Sequence, residues 1–443
     1  MNLYPDQLAA AKVCENWLNN TETVVAGLWA SAGYGKSFTT KNLIEEVILK
    51  ETNYIPVLTS MTHSAVAVMA DFTGRGVSTL HSFMGWIPQV DKETGEEFLS
   101  TPRMRDKNAE DILKSNMVLL IDEAGMLGHT EVELLIDEAK RVGCRILLIG
   151  DNKQCFPVFK EGEKECVPAY DKTELYINLT IPKRVDKTDM IYKMSTVMRE
   201  AVDGKRWPKI VTVLNTDKSG KGVRAVEDIE ELAYIAFAAG VRDNNTRNIK
   251  VLAFTNRRCL ALNRKIRKNV MGLSDPTPVV GEEMVANTSI MGSTGEALIR
   301  NNQMLIVKSV EKTTSYGMEG AFIQYSDLDG EDIEEIVFVP ASIPKLADRL
   351  KAMANEAKGL QGNGFVAEAK TVWKAFFSLK ESVADIRFTY AMTVNKAQGT
   401  TLKHALVDLC DINICHSREQ KARLAYTAFS RPTHFLTIEG ELT

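Results

Sequence analysis

Residues 23–40 read TVVAGLWASAGYGKSFTT. An apolar run at 23–30 stops abruptly at a stretch of small residues. Beyond it, "SFTTKNLIEEVILK" (37–50) places Leu43, Ile44, Val47 and Ile48 on one face of a helix. Strand, glycine loop and helix in that order build a phosphate cradle, because backbone N–H groups and the positive helix end converge on an anion. Against the pattern G-x-x-x-x-G-K-[ST], Gly35, Lys36 and Ser37 fall in place, but Ala30 stands at the first glycine. An alanine there adds only a methyl group if its φ is negative. Alone, the stretch fits a working site, a decayed one or a coincidence.

Further apolar runs end in the same abrupt way: "IPVLTS" (55–60), "MVLLIDE" (117–123), "CRILLIGD" (144–151), "VLAFTN" (251–256), "HALVDL" (404–409) and "HFLTI" (434–438). Helical patterns separate most of them. Continuous apolar strands spaced by helices predict α/β architecture with parallel sheets covered on both faces. Ligands of such sheets sit beyond the carboxyl ends of the strands. At one such end "VLLIDEAGM" puts Asp122 and Glu123 side by side, where a phosphate-loop enzyme needs one carboxylate for Mg²⁺ and a second to activate water. A charged strand end is the plainer alternative. At another, "LLIGDNKQCFPV" brings Asp151 and Gln154 to the same edge, and a glutamine N–H can sense a terminal phosphate.

Two stretches break the α/β pattern. Residues 85–103 read as a short hairpin turning at Thr94-Gly95. Residues 275–340 alternate like the strands of a small β-barrel, and two helical patterns meeting around Gly362 and Gly364 follow as a helical hairpin. Trp373, Phe376 and Phe377 have helical spacing and read as packing rather than a base-stacking platform. No internal repeat or low-complexity tract interrupts the chain.

Composition bounds the rest. The chain of 443 residues is long enough for two or three domains. No apolar run approaches the length of a bilayer span, and the N-terminus does not read as a signal peptide, so a cytoplasmic protein is expected. Seven scattered cysteines fit free thiols. Around "CDINICH", Cys410, Cys415 and His416 are a weak metal candidate beside the simpler reading of a buried thiol. With net charge −4, nucleic-acid binding requires focused positive charge. "TNRRCLALNRKIRKN" (255–269) supplies it, or is a solvated helix face.

In order, these motifs resemble the superfamily 1 helicases, most closely the 5′→3′ branch (superfamily 1B) of RecD- and Dda-like enzymes, over nearly the whole chain. The other branch of the superfamily commonly carries alanine at the first loop position, so the resemblance implies a working site for ATP and Mg²⁺. Gln7 in "YPDQLAAAK" is similar to an adenine-reading glutamine, and Ala32, Gly33, Tyr34, Gly35, Lys36, Ser37 and Phe38 to the nucleotide-holding loop. By the same resemblance Ser37 and Asp122 hold the metal, while Lys36, Asp122, Glu123 and Gln154 act on the phosphates with two arginine fingers, Arg184 in "LTIPKRV" and Arg431 in "AYTAFSRPTHFL". Gln398 and Gly399 in "YAMTVNKAQGTTL" resemble the coupling motif. DNA contacts are implied at Thr62, His63, Thr79 and His81 on one lobe, and at Asn256, Thr393, Asn395 and Lys396 on the other.

The resemblance implies two RecA-like lobes around one cleft: lobe 1A at 1–84 and 104–180, a pin hairpin at 85–103, lobe 2A at 181–272 and 385–443, and an SH3-like barrel with helical hairpin at 273–384. Pro88 and Phe98 would form the pin that splits a single-strand/double-strand junction, although Phe98 could equally pack within its own hairpin. Single-stranded DNA is the implied track and RNA stays open. A monomer is expected, with a single-strand-binding protein a conceivable partner. Departures from the family pattern are Asn395 for histidine, Gly125 for serine, Pro432 after Arg431, and the large Tyr34 in the loop. None removes a charge that hydrolysis needs.

Overall fold

The computed structural model describes residues 3–20, 22–90, 97–157, 159, 164–183, 189–204, 207, 215–216, 222–242, 246–288, 290–291, 297–299, 303–327, 332–333 and 336–443. Its N-terminal lobe is a six-stranded parallel sheet in the order Ser78–Thr79, Ile55–Ser60, Met117–Asp122, Arg145–Gly150, Val25–Trp29, Leu175–Asn178. The strand Val25–Trp29 is buried along its whole length, which is why its sequence is continuously apolar. Trp17, Leu18 and the helical face Leu43, Ile44, Val47 and Ile48 cover one side; Trp29, Leu80, Val132 and Leu135 belong to the core on the other. Gly27 is required by its neighbour: a Cβ there would lie 2.1 Å from Trp29 Nε1. That indole N–H donates to Thr173 Oγ1 at 3.3 Å.

The C-terminal lobe repeats the design. Its sheet runs Ala391–Thr393, Ile249–Ala253, Leu402–Asp408, Pro432–Glu439, Gly222–Val226, Asn215–Thr216, parallel except at the last pair. Leu175–Asn178, Gly222–Val226 and Ala391–Thr393 have no counterpart among the apolar runs of the sequence. These strands are short or only partly buried, so each lacks a continuous apolar run.

Between the halves of the C-terminal lobe lies a five-stranded antiparallel sheet, Val337–Pro340, Met318–Ser326, Met304–Ser315, Glu283–Ala286, Ile386–Phe388. Its two ends approach each other, with Ala384 N–H donating to Phe338 O at 2.9 Å. Strand Ile386–Phe388 falls beyond the boundary expected at 384, because its antiparallel pairing with Glu283–Ala286 draws it into this sheet. Helices Ile343–Gly362 and Val366–Ser382 form the helical hairpin, where Trp373 and Phe377 bury against Ala357 as core. In the N-terminal insertion, Ile87–Val90 pairs antiparallel with Glu97–Ser100, setting Gln89 opposite Phe98. The expected turn at Thr94-Gly95 lies outside the described residues. Among those described, no helix is long and apolar enough to cross a membrane.

Candidate functional site

The glycine loop leaves the carboxyl end of Val25–Trp29, as the sequence pattern requires. Gly33 and Gly35 take φ of 82° and 83°, a region other residues rarely adopt, whereas Ala30 carries no positive φ. Alanine is therefore unstrained at the first position. A Cβ on Gly35 would meet Lys183 Cγ at 3.0 Å and Gln7 Nε2 at 3.2 Å, so the start of the first helix walls the loop. Gln7 is fixed there by donating to Thr39 Oγ1 at 3.0 Å and accepting Tyr4 N–H at 3.1 Å. Asp6 accepts the N–H groups of Thr180 and Ile181 and pairs with Lys183 at 2.6 Å. Burial pushes the Asp6 carboxyl up, but Lys183 and the two amides outweigh it and hold it below its ordinary value. Lys36 Nζ folds back onto Ala30 O at 2.9 Å. Ser37 and Phe38 occupy the first turn of Lys36–Asn42, both partly buried.

Asp122 ends its strand as a buried carboxylate. Burial, and then repulsion from Glu123, push it up to about 7 against the pull of Lys36. Glu123 itself sits at φ 55°, one of two non-glycine residues at positive φ among those described. Such a conformation costs on the order of 1–3 kcal/mol and is held by its surroundings. A buried carboxylate beside a loop that carries a serine hydroxyl is a hard-oxygen donor set of the kind Mg²⁺ takes.

Between its ordinary 3.8 and about 7, folded Asp122 keeps a proton that the unfolded chain has released, so this group's contribution to stability falls as pH rises through that window. Asp122→Asn should therefore raise the unfolding midpoint of the nucleotide-free protein at about pH 8 by about 2–5 °C and flatten its pH dependence. Calorimetry of both proteins at about pH 5 and about pH 8 checks this; a lowered midpoint at the higher pH would contradict it.

Asp151 and Gln154 lie buried at the same edge, with Gln154 Nε2 3.5 Å from Asp151 Oδ2. Gln154 Oε1 is buried without a hydrogen-bond partner among the described residues. Helix Arg418–Phe429 of the C-terminal lobe seats against this edge. Arg423 donates to Asn152 O at 2.6 Å and Gln154 O at 3.1 Å, and its guanidinium lies 4.2 Å over Phe156. Thr427 Oγ1 accepts Cys155 N–H at 2.9 Å. Tyr426 OH donates to Asp151 Oδ2 at 2.6 Å and accepts the loop amide of Ala32 at 3.4 Å. From the helix Met190–Val202, Arg199 Nη1 donates to Ser31 Oγ at 2.9 Å and Tyr34 OH at 2.8 Å.

The expected fingers behave differently. Arg184 lies outside the described residues. Arg431 is buried but bonded within its own lobe, to Thr427 O at 3.1 Å, Ser430 Oγ at 2.8 Å and Thr400 O at 3.4 Å, with no bond to the loop of Lys36 among the described residues. A buried guanidinium needs acceptors, and these are the ones its own lobe offers. Gln398 is buried and Gly399 takes φ 77° in the turn that leads to Thr400. Arg423, Tyr426 and Arg199 escaped the sequence reading. The first two share a helix face with Thr427, a spacing that could have flagged them; nothing local flags Arg199.

Thr62 and Thr79 cap successive helices at the carboxyl edge of neighbouring strands, accepting Ala65 N–H at 3.2 Å and Ser82 N–H at 3.3 Å. His63 begins the first of these helices. His81 Nε2 is 2.7 Å from Glu131 Oε1, a bond that orients the ring. Across the cleft, Thr393, Asn395 and Lys396 share one turn after Ala391–Thr393, and Asn256 opens the helix Asn256–Met271. Lys396 bonds Asn287, which donates to Asp385 at 2.7 Å, while Arg387 bridges Asp385 and Asn256. Burial and then Arg387 lower Lys396 to about 8. Phe98 is 42% exposed and pairs with Gln89, and Pro88 is opposite Leu99 in the strand register.

Three of the six basic residues in the stretch 255–269 are held in ion pairs, while Arg257, Arg264 and Lys268 are exposed. Arg258 bonds Glu230 and Asp408, Lys265 bonds Glu230, and Arg267 bonds Glu282, so the charge of these three is neutralised. Cys415 donates to Gln420 at 2.8 Å, and the residues gathered near Cys410 are Asp408 and Glu439, with Asp408 held by Arg258. All seven cysteines are free.

A family profile described as an AAA domain matches residues 15–160. The ATP-dependent DNA helicase dda of Enterobacteria phage T4 is 26% identical over 409 residues, 85% of each chain. An uncharacterized protein of Acanthamoeba polyphaga mimivirus, R530, is 20% identical over 97% of this chain and 98% of its own. Among solved structures, paired Pif1 helicases at forked double-stranded DNA align at a TM-score of 0.53 and 15% identity, covering 100% of this chain and 93% of that one. Bacteroides Pif1 bound to single-stranded DNA aligns at 0.51 and 15% identity with the same coverage, so the fold is shared. The two parallel-sheet lobes, the motif order along them and the likeness to dda over 85% of each chain converge on one resemblance: the chain is similar to Dda-type helicases of superfamily 1B, on a fold it shares with Pif1.

Proposed function

We propose that this protein is an ATP-driven helicase that moves 5′→3′ along single-stranded DNA and separates duplex ahead of it. One observation carries the reading: the phosphate loop is touched from the far lobe, through Tyr426 at Ala32 and Arg199 at Ser31 and Tyr34. A triphosphate entering that loop must disturb bonds between the lobes, and its hydrolysis lets them re-form. This couples nucleotide state to lobe position.

Gly33, Gly35 and the first helix turn cradle the phosphates, and Lys36 leaves Ala30 O for them. Gln7 reads the adenine. Mg²⁺, when bound, neutralises phosphate charge; Ser37 and Asp122 would hold it. Glu123 orients and deprotonates the attacking water, and Gln154 reports the terminal phosphate. Arg431 and Arg184 act as fingers as the cleft closes, which for Arg431 means exchanging Thr400 O for phosphate oxygen. Charge placed there is worth on the order of 10³–10⁵ in rate. Closure shifts the grips Thr62, His63, Thr79 and His81 relative to Asn256, Thr393, Asn395 and Lys396. Opening a base-pair step costs about 1.4 kcal/mol of stacking, well within one ATP.

The hairpin serves as the wedge, with exposed Phe98 stacking on the last pair. Phe98→Ala should leave DNA-stimulated ATPase within about twofold while slowing strand separation about tenfold or more, the loss of one base–aromatic stack. Equal loss in both assays would remove the wedge assignment. Direction is tested with duplexes carrying only a 5′ or only a 3′ tail. Unwinding confined to the 5′-tailed duplex is expected, and unwinding confined to the 3′-tailed one overturns the polarity. Parallel RNA tails, if preferred, would overturn the choice of track.

A further inference from the structure

We infer that Arg199 is a further phosphate-contacting residue, supplied across the cleft to the terminal phosphate of the bound nucleotide. The inference rests on the ATP-driven reading above and adds an arginine distinct from both expected fingers.

Arg199 stands near the end of the helix Met190–Val202, whose start is fixed by Asp189 accepting the N–H groups of Ile191 and Tyr192 at 2.9 and 3.2 Å. The helix packs on Arg418–Phe429 and so moves with the C-terminal lobe. Its guanidinium opens onto a cleft of about 540 Å³ that is also lined by Ala30, Ser31, Tyr34, Asn178 and Thr180. Among the described residues only Nη1 is engaged, by two hydroxyls, and no carboxylate pairs with Arg199. Its neighbours make the contrast: Lys153 pairs with Asp203, and Arg423 with Glu419. A half-buried guanidinium left with neutral acceptors, beside a loop shaped for an anion, is a charge whose counter-ion is the ligand. Ser31 and Tyr34 hold it at the mouth of the loop, leaving Nε and Nη2 for phosphate oxygens. The same geometry accounts for the large Tyr34 in the loop, since its hydroxyl positions the arginine.

The test compares nucleotides that differ by one phosphate. Fluorescence titrations would measure affinity for ADP and for a non-hydrolysable ATP analogue, each with Mg²⁺, on unaltered protein, Arg199→Ala and Arg199→Lys. Arg199→Ala should weaken the analogue at least about tenfold and ADP less than about threefold, the loss of a charged hydrogen bond made only to the terminal phosphate. Arg199→Lys, which keeps the charge and the fold, should recover part of that affinity. Equal weakening of both nucleotides, or no change in either, overturns the inference and leaves Arg199 as a brace between lobes. Unaltered protein that discriminates the analogue through Arg199 yet hydrolyses no ATP with single-stranded DNA overturns the motor reading alone.

Discussion

Lys36→Ala is expected to lower DNA-stimulated ATP turnover at least about a thousandfold, equivalent to about 4 kcal/mol of transition-state stabilisation. The reason is positional. Lys36 opens the helix whose N-terminus faces the loop, and its ammonium is held by Ala30 O at 2.9 Å, beside the buried Asp122. Among the described residues no second cation of the same lobe bonds to Ala30 or Ser31, so no other group of that lobe replaces its charge on the phosphates. Its removal also takes away the group that pulls Asp122 down, leaving that carboxyl more firmly protonated. Steady-state ATPase with saturating single-stranded DNA checks the effect. Turnover within about tenfold of the unaltered protein would refute the phosphate-loop assignment.

Glu123→Gln should separate binding from chemistry. The exchange keeps shape and the unusual φ of 55° but removes the base that takes a proton from water. Such groups contribute about 10²–10⁴-fold, so hydrolysis should fall by that factor. Nucleotide affinity should hold or improve, because Asp122 loses the repulsion of its neighbour and ionises more readily. Single-turnover hydrolysis beside an ADP titration distinguishes the two. A matching loss in both would make Glu123 a structural strand end.

The parts of this site that were legible in the sequence are those built locally. Gly33, Gly35 and Lys36 follow one strand within a few residues, and Asp122 and Glu123 end another. A strand's carboxyl end and a helix's first turn fix where such residues point, wherever the lobes lie. The same holds for the buried face Leu43, Ile44, Val47 and Ile48, whose spacing states its burial. Strand Ile386–Phe388 lies on the other side of its expected boundary because pairing with Glu283–Ala286 is non-local.

Arginines show the other side. Arg431 announced itself by its motif, yet its bonds go to three acceptors of its own lobe. Arg199 announced itself by nothing and touches Ser31 and Tyr34 directly. In the basic run at 255–269, Glu230, Asp408 and Glu282 take up Arg258, Lys265 and Arg267, pairings that the run itself does not announce. By itself, then, the chain's order of residues determined two parallel-sheet lobes, a phosphate cradle and an acid pair, because backbone geometry and apolar periodicity act over a few residues. Which cations face that cradle was decided only by tertiary structure, since long side chains reach whatever acceptor the folding of distant segments brings within about 3 Å.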